Sequence, residues 1–163
     1  SWGNVQTSYQ RRNDLIGNLV KTVKGAADFE KSTLEAVIKA RSEATSVKID
    51  PTNMTPEQLT QFNQAQGNLN SSLSRLLVTV EQYPDLKANQ NFLKLQDELA
   101  STENQILTAR TRFNESVQKY NNYILVFPNS MFLGNYKEKP YFDAVAGAEK
   151  PVDVEFDFNN EKK

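Results

Sequence analysis

The sequence predicts an all-α fold, an elongated antiparallel up-and-down helical bundle, and three observations carry that prediction. Apolar residues return at steps of three and four along most of the first 127 positions, the spacing of a buried helical face. The six prolines, at positions 51, 56, 84, 128, 140 and 151, bound long proline-free stretches. Leu99, Ile106, Phe113, Tyr120 and Phe127 follow one another by sevens, the repeat of helices that pack side by side. With 163 residues and neither a linker nor an internal repeat, a single domain over 1–163 is expected.

The first helix is expected over about 2–46. Leu15, Ile16, Leu19, Val20, Val23, Ala26, Ala27, Leu34, Val37 and Ile38 form its apolar face. Gly17 and Gly25 are its weak points, each costing about 1 kcal/mol against Ala in a helix, and a bend is expected there. Val47 to Met54, with Asp50-Pro51, reads as a loop. Thr55-Pro56-Glu57-Gln58 is a helix start: Thr55 caps, Pro56 suits the first helical position and Gln58 completes a capping box.

The second helix, about 56–83, carries Leu59, Phe62, Ala65, Leu69, Leu73, Leu76, Leu77 and Val80 on one side. It should stop near Tyr83, because Pro84 disfavours helical backbone in the residue before it. The third, about 89–126, adds Leu95, Thr102, Ala109, Val117 and Ile124 to the seven-residue series and ends before Pro128. Helices of about 38 to 45 residues would be roughly 57–68 Å long, and short connections make neighbours antiparallel. In the tail, 129–163, Val152, Val154, Phe156 and Phe158 alternate with Asp153, Glu155 and Asp157. That pattern suggests an extended strip lying along the bundle. A short C-terminal helix is expected over Tyr141 to Gly147, and Asn159 to Lys163 should fray.

Composition narrows the chemistry. The formal net charge is −1 and the pI about 5.6, with basic and acidic residues interleaved, so no nucleic-acid partner is expected. The chain contains no Cys and no His. Disulfides, thiolate sites, Ser-His-Asp triads, Cys-His dyads and His-bearing metal sites are therefore excluded. No cofactor, metal or catalytic activity is expected. The longest uninterrupted apolar run is Tyr123 to Phe127, far short of the roughly 20 residues of a membrane span.

The candidate site residues are polar. Arg11, Asp14, Asn18 and Lys21 share one side of the first helix at steps of three and four. Glu103, Arg110, Asn114 and Asn121 flank the apolar seam of the third at steps of seven, four and seven. The leading reading is that the two stripes meet as interhelical ion pairs and hydrogen bonds that fix the pairing. A partner groove is the second reading, and catalysis the last, since no nucleophile and base can be named. Asp153, Glu155 and Asp157 read as a solvated edge rather than a Ca²⁺ site, which usually wants roughly 6–8 oxygen ligands and a turn that gathers them. Trp2 belongs either to the core or to a membrane interface. The aromatic-rich end, with Tyr120, Tyr123, Phe127, Phe132, Tyr141 and Phe142, offers room for a small or lipid-like ligand.

Several segments together resemble the LemA family. They include Gln10-Arg11-Arg12-Asn13-Asp14-Leu15-Ile16, Asn18-Leu19-Val20, Phe29-Glu30-Lys31, Tyr83-Pro84-Asp85-Leu86-Lys87-Ala88-Asn89, Phe113-Asn114, Tyr120-Asn121 and Val154-Glu155-Phe156. The resemblance covers nearly the whole chain. It departs at Gly17, where the family usually has Pro, so the bend a Pro would impose does not carry over. The resemblance implies a helical bundle held outside the cytoplasm, in the periplasm or at the cell surface, by an N-terminal membrane anchor placed just before Trp2. The missing catalytic residues and the large area of such helices lead us to expect a non-catalytic scaffold or adaptor, which the resemblance would place in the bacterial envelope. A membrane metalloprotease or a TPM-domain protein would be its partner by family association.

Overall fold

A computed structural model describes residues 1–125 and 138–142 of the chain, and these residues form helices joined by short loops. The helices are α1 (Trp2–Lys24), α2 (Lys31–Ser46), α3 (Pro56–Val80), the single turn α4 (Pro84–Lys87) and α5 (Gln90–Leu125). α1 packs on α5 and on α2, and α2 packs on α3. Trp2 meets Phe113 while Thr22 is bonded to Asn91, so α1 and α5 run in opposite directions. Trp2 also meets Phe62 and Arg12 reaches Asn70, so α1 and α3 run the same way. Arg41 of α2 donates to the Asn13 carbonyl at 2.7 Å, which makes the α1–α2 pair antiparallel.

The expected first helix, 2–46, is two helices. The break falls at Gly25, whose N–H turns back to the Lys21 and Thr22 carbonyls, and the chain reverses through Asp28 at φ 60. Asp tolerates this left-handed conformation better than most residues. The Tyr83 hydroxyl then fixes the turn, accepting from Glu30 N at 3.0 Å and donating to the Asp28 carbonyl at 3.1 Å. Gly17 does not bend α1. It leaves room for the Arg41 guanidinium, whose Nη2 would lie 2.8 Å from a Cβ added there. Arg41 thus serves the Asn13 carbonyl, the one a Pro at 17 would deprive of its helical N–H.

α3 begins as expected. Gln58 N donates to Thr55 Oγ1 at 3.2 Å, and Thr55 N to Gln58 Oε1 at 3.3 Å. It ends at Val80 rather than near Tyr83, because Tyr83 is already non-helical ahead of Pro84. α5, with 36 residues, is the longest helix, about 54 Å at 1.5 Å per residue. In the tail, residues 138–142 carry no helix, so the expected short helix does not include Tyr141 or Phe142. Gly147, Phe127, Phe132 and the alternating strip around Asp153, Glu155 and Asp157 lie outside the described residues.

The interior divides into two apolar cores. One is aliphatic, built from Ile16, Leu19, Val23, Val37, Leu69, Leu73, Leu76 and Leu99 with their neighbours. The other is aromatic, built from Trp2, Tyr9, Phe62, Phe113 and Phe142 with Val5, Ile49, Leu59, Ile106 and Val117. No helix among the described residues is long and apolar enough to cross a membrane.

Candidate functional site

Between the two cores lies a layer of buried polar side chains. On α1 the buried positions Trp2, Val5, Tyr9, Arg12, Ile16, Leu19 and Val23 alternate steps of three and four. Arg12 therefore stands where the repeat calls for an apolar residue. On α3 the series Leu59, Phe62, Gln66, Leu69, Leu73, Leu76 and Val80 does the same, with Gln66 as its polar member. Arg12, 1% exposed, donates from Nη1 to Asn70 Oδ1 at 2.6 Å and from Nη2 to Gln66 Oε1. The Glu103 carboxylate of α5, also buried, lies 3.7 Å from Arg12 Nη1. One guanidinium thus ties three helices.

A second guanidinium, that of Arg110, lies beside the Tyr9 hydroxyl, and its Cζ sits 4.5 Å from the centre of the Phe142 ring. Burial pushes the Tyr9 hydroxyl above its ordinary range, although Arg12 and Arg110 pull it down. The phenol therefore stays protonated. Phe142 is 5% exposed and sits against Trp2, Tyr9, Phe62 and Phe113, ring centres 6.0–6.4 Å apart. Trp2 is a core residue of this box.

Two asparagines of α5 hold the tail segment by its backbone. Asn121 Oδ1 accepts from Lys139 N at 2.7 Å while Asn121 Nδ2 donates to the Lys139 carbonyl at 3.0 Å. Asn114 repeats the pattern on Phe142, at 2.7 Å and 3.4 Å. Beside this clamp, at the Trp2 end of the bundle, an open cleft of about 1060 Å³ is lined by Trp2, Met54, Phe113, Val117, Tyr120 and Tyr141, among others.

The two candidate stripes do not meet. Arg11, Asp14, Asn18 and Lys21 are all exposed. Glu103, Arg110 and Asn121 are buried and Asn114 is half-buried. The polar partner that α1 supplies is Arg12, one position around the helix from the expected stripe, with Asn13 buried beside it. Sequence reasoning missed Arg12, Gln66 and Asn70. The usable signal was the unbroken three-four spacing that runs through Arg12 and Gln66.

The protein-family model described as the LemA family matches residues 1–156. The chain is 27% identical over 168 residues to the magnetosome protein MamQ 2 of Paramagnetospirillum magneticum, covering 91% of this chain and 62% of that protein. It is 28% identical over 169 residues to the magnetosome protein MamQ of Magnetospirillum gryphiswaldense, with the same coverage. Protein LemA of Metamycoplasma hominis is 27% identical over 123 residues, 76% of this chain and 52% of that protein. The chain thus spans less than two thirds of the length of these relatives.

Proposed function

We propose, from the premise that this chain belongs to the LemA family over residues 1–156, that it is a non-catalytic scaffold or adaptor of the cell envelope. In this reading α1, α2, α3 and α5 form an antiparallel up-and-down bundle, displayed outside the cytoplasm from a membrane anchor. One observation carries it. The buried charged groups are engaged within the fold: Arg12 and Glu103, 1% and 3% exposed, face each other between α1 and α5, and Arg110, 7% exposed, lies beside Tyr9 and over Phe142. The exposed helix faces are then the working surface. The relatives named for a structure, the magnetosome, rather than for a reaction agree with this reading. Its partners are membrane or envelope proteins, with a membrane metalloprotease or a TPM-domain protein as the first to test.

The experiment is crosslinking in living cells from exposed positions such as Arg11 and Lys21 on the anchored protein. A specific protein neighbour is expected; only background adducts from every position would sink the adaptor.

A second reading, a binder of small or lipid-like ligands, is favoured by the cleft of about 1060 Å³ and its aromatic lining. Ligand pockets typically run to roughly 300–1,000 Å³. Envelope lipid extracts should raise the melting temperature if the cleft holds lipid, and an unchanged melting curve argues against it.

A further inference from the structure

The clamp formed by Asn114 and Asn121 is a peptide-reading device. Each side-chain amide offers a C=O and an NH₂ to the N–H and C=O of one residue, as a neighbouring peptide unit would. The two asparagines are seven helical residues apart, about 10.5 Å along α5. The residues they hold, Lys139 and Phe142, are three apart, about 9.3 Å in a polyproline II segment. The spacings match. In a β-strand, sides alternate with every residue, so positions three apart face opposite ways. In polyproline II, with three residues per turn, they face the same way. Pro140 sits between the clamped residues, and its missing N–H costs nothing where α5 reads only positions 139 and 142. Between the two amides, reading is by backbone; beyond them, the box of Trp2, Tyr9, Phe62 and Phe113 selects an aromatic ring.

We propose that this groove binds, in trans, an extended segment of a partner protein with Pro followed two residues later by Phe, and that residues 138–142 occupy it as an intramolecular stand-in. The seated segment is the template for the ligand: backbone amides at the first and fourth positions, Pro at the second, a buried Phe at the fourth. The Arg110 guanidinium over the Phe142 face adds preference for an aromatic side chain. This names the partner class of the adaptor reading and rests on it for a role in the cell. The binding itself is measured on purified protein, so its failure leaves the crosslinking result to stand or fall alone.

The probe is the acetylated, amidated pentapeptide Glu-Lys-Pro-Tyr-Phe, the sequence of residues 138–142, and the reporter is Trp2, the only tryptophan in the chain. With Phe142→Ala vacating the box in the full chain, the peptide should give a saturable change in Trp2 fluorescence. Adding Asn114→Ala and Asn121→Ala, or replacing the peptide's Phe by Ala, should weaken binding by at least ~10-fold. The unsubstituted chain should bind the peptide ~10-fold or more weakly, because its own segment competes at high effective concentration. Circular dichroism checks that helix content holds, and Phe142→Leu serves if Phe142→Ala unfolds. No saturable signal in either variant overturns the proposal. So does dimerisation of the unsubstituted chain that Phe142→Ala abolishes, since the occupant would then be a second copy.

Discussion

The two cores of this bundle are held by different means. The aliphatic core relies on leucine, isoleucine and valine from α1, α2, α3 and α5, and its outer end is pinned by Tyr83 bridging Asp28 and Glu30. The aromatic core draws on α1, α3 and α5, on Ile49 from the loop before α3, and on Phe142 from the tail. The first is closed by helices and their connecting turns, with Phe29 and Tyr83 packed against it. The second depends on chain that is not helical, held by side-chain amides. The difference lies in what completes each core: an extended segment gripped by its main chain in one, helices and their connecting turns in the other.

The sharpest way to break the comparison is at the boundary. Arg12→Met removes the cation that ties Asn70, Gln66 and Glu103, and leaves their polar atoms buried. A loss of about 3–5 kcal/mol in urea unfolding is expected. Replacing Arg12, Gln66 and Glu103 together by Leu should recover much of it; if the triple variant is as unstable as the single one, the layer is not an isolated polar insert. Next come the cores themselves. Phe62→Ala and Leu73→Ala should each cost about 2–5 kcal/mol. Only Phe62→Ala should alter Trp2 fluorescence in the folded state, because Phe62 touches that ring and Leu73 belongs to the other core. Equal spectral changes would erase the division.

Titration should also single out the aromatic half. Tyr9 has its folded-state pKa raised above 10.0, first by burial. Its contribution is therefore present below pH 10 and lost as pH rises beyond it. Asp50 behaves oppositely: hydrogen bonds from the Thr52 hydroxyl and N–H lower its pKa below 3.8. That contribution is present above pH 3.8 and fades as pH falls further. Tyr9→Phe should flatten the alkaline limb of the stability curve, and Asp50→Asn the acid limb, in denaturant melts across pH. Smaller effects lie at the helix ends and faces. Thr55→Ala should cost about 1 kcal/mol through loss of the capping box. Gly17→Ala should change stability by less than about 1 kcal/mol, because the gain in helix propensity is set against displacement of Arg41. A loss well above that in thermal melts would mean the Arg41 bond to Asn13 cannot be re-formed.

Much of the helical content was legible in the chain because apolar spacing is local. Thr55 to Gln58 announced the start of α3, and the seven-residue series marked α5. Gly25 marked a weak point, but the full reversal at 25–30 was not visible, because Val23, Ala26, Ala27 and Leu34 keep a plausible helical step straight across it. The candidate stripe on α1 was displaced by one residue, from Arg12 to Arg11. An arginine in a buried seam looks on paper like an arginine beside it, and only the positions of Gln66, Asn70 and Glu103 decide. Asn114 and Asn121 stood out as polar residues along the seam. Their task did not, because a bond to a main-chain amide leaves no mark on the sequence of the segment it holds.

The Arg12 layer also bears on how helices with the same heptad period choose one alignment. Sliding α1 along its axis by two turns, about 10.5 Å, keeps its three-four series of apolar positions in step with that of α3. It would also bring Arg12 opposite leucines and leave Gln66 facing Tyr9's neighbours with nothing to accept. A charge set at a single rung turns a ladder of near-equivalent settings into one, and makes every other setting a state in which a bare cation is sealed in hydrocarbon.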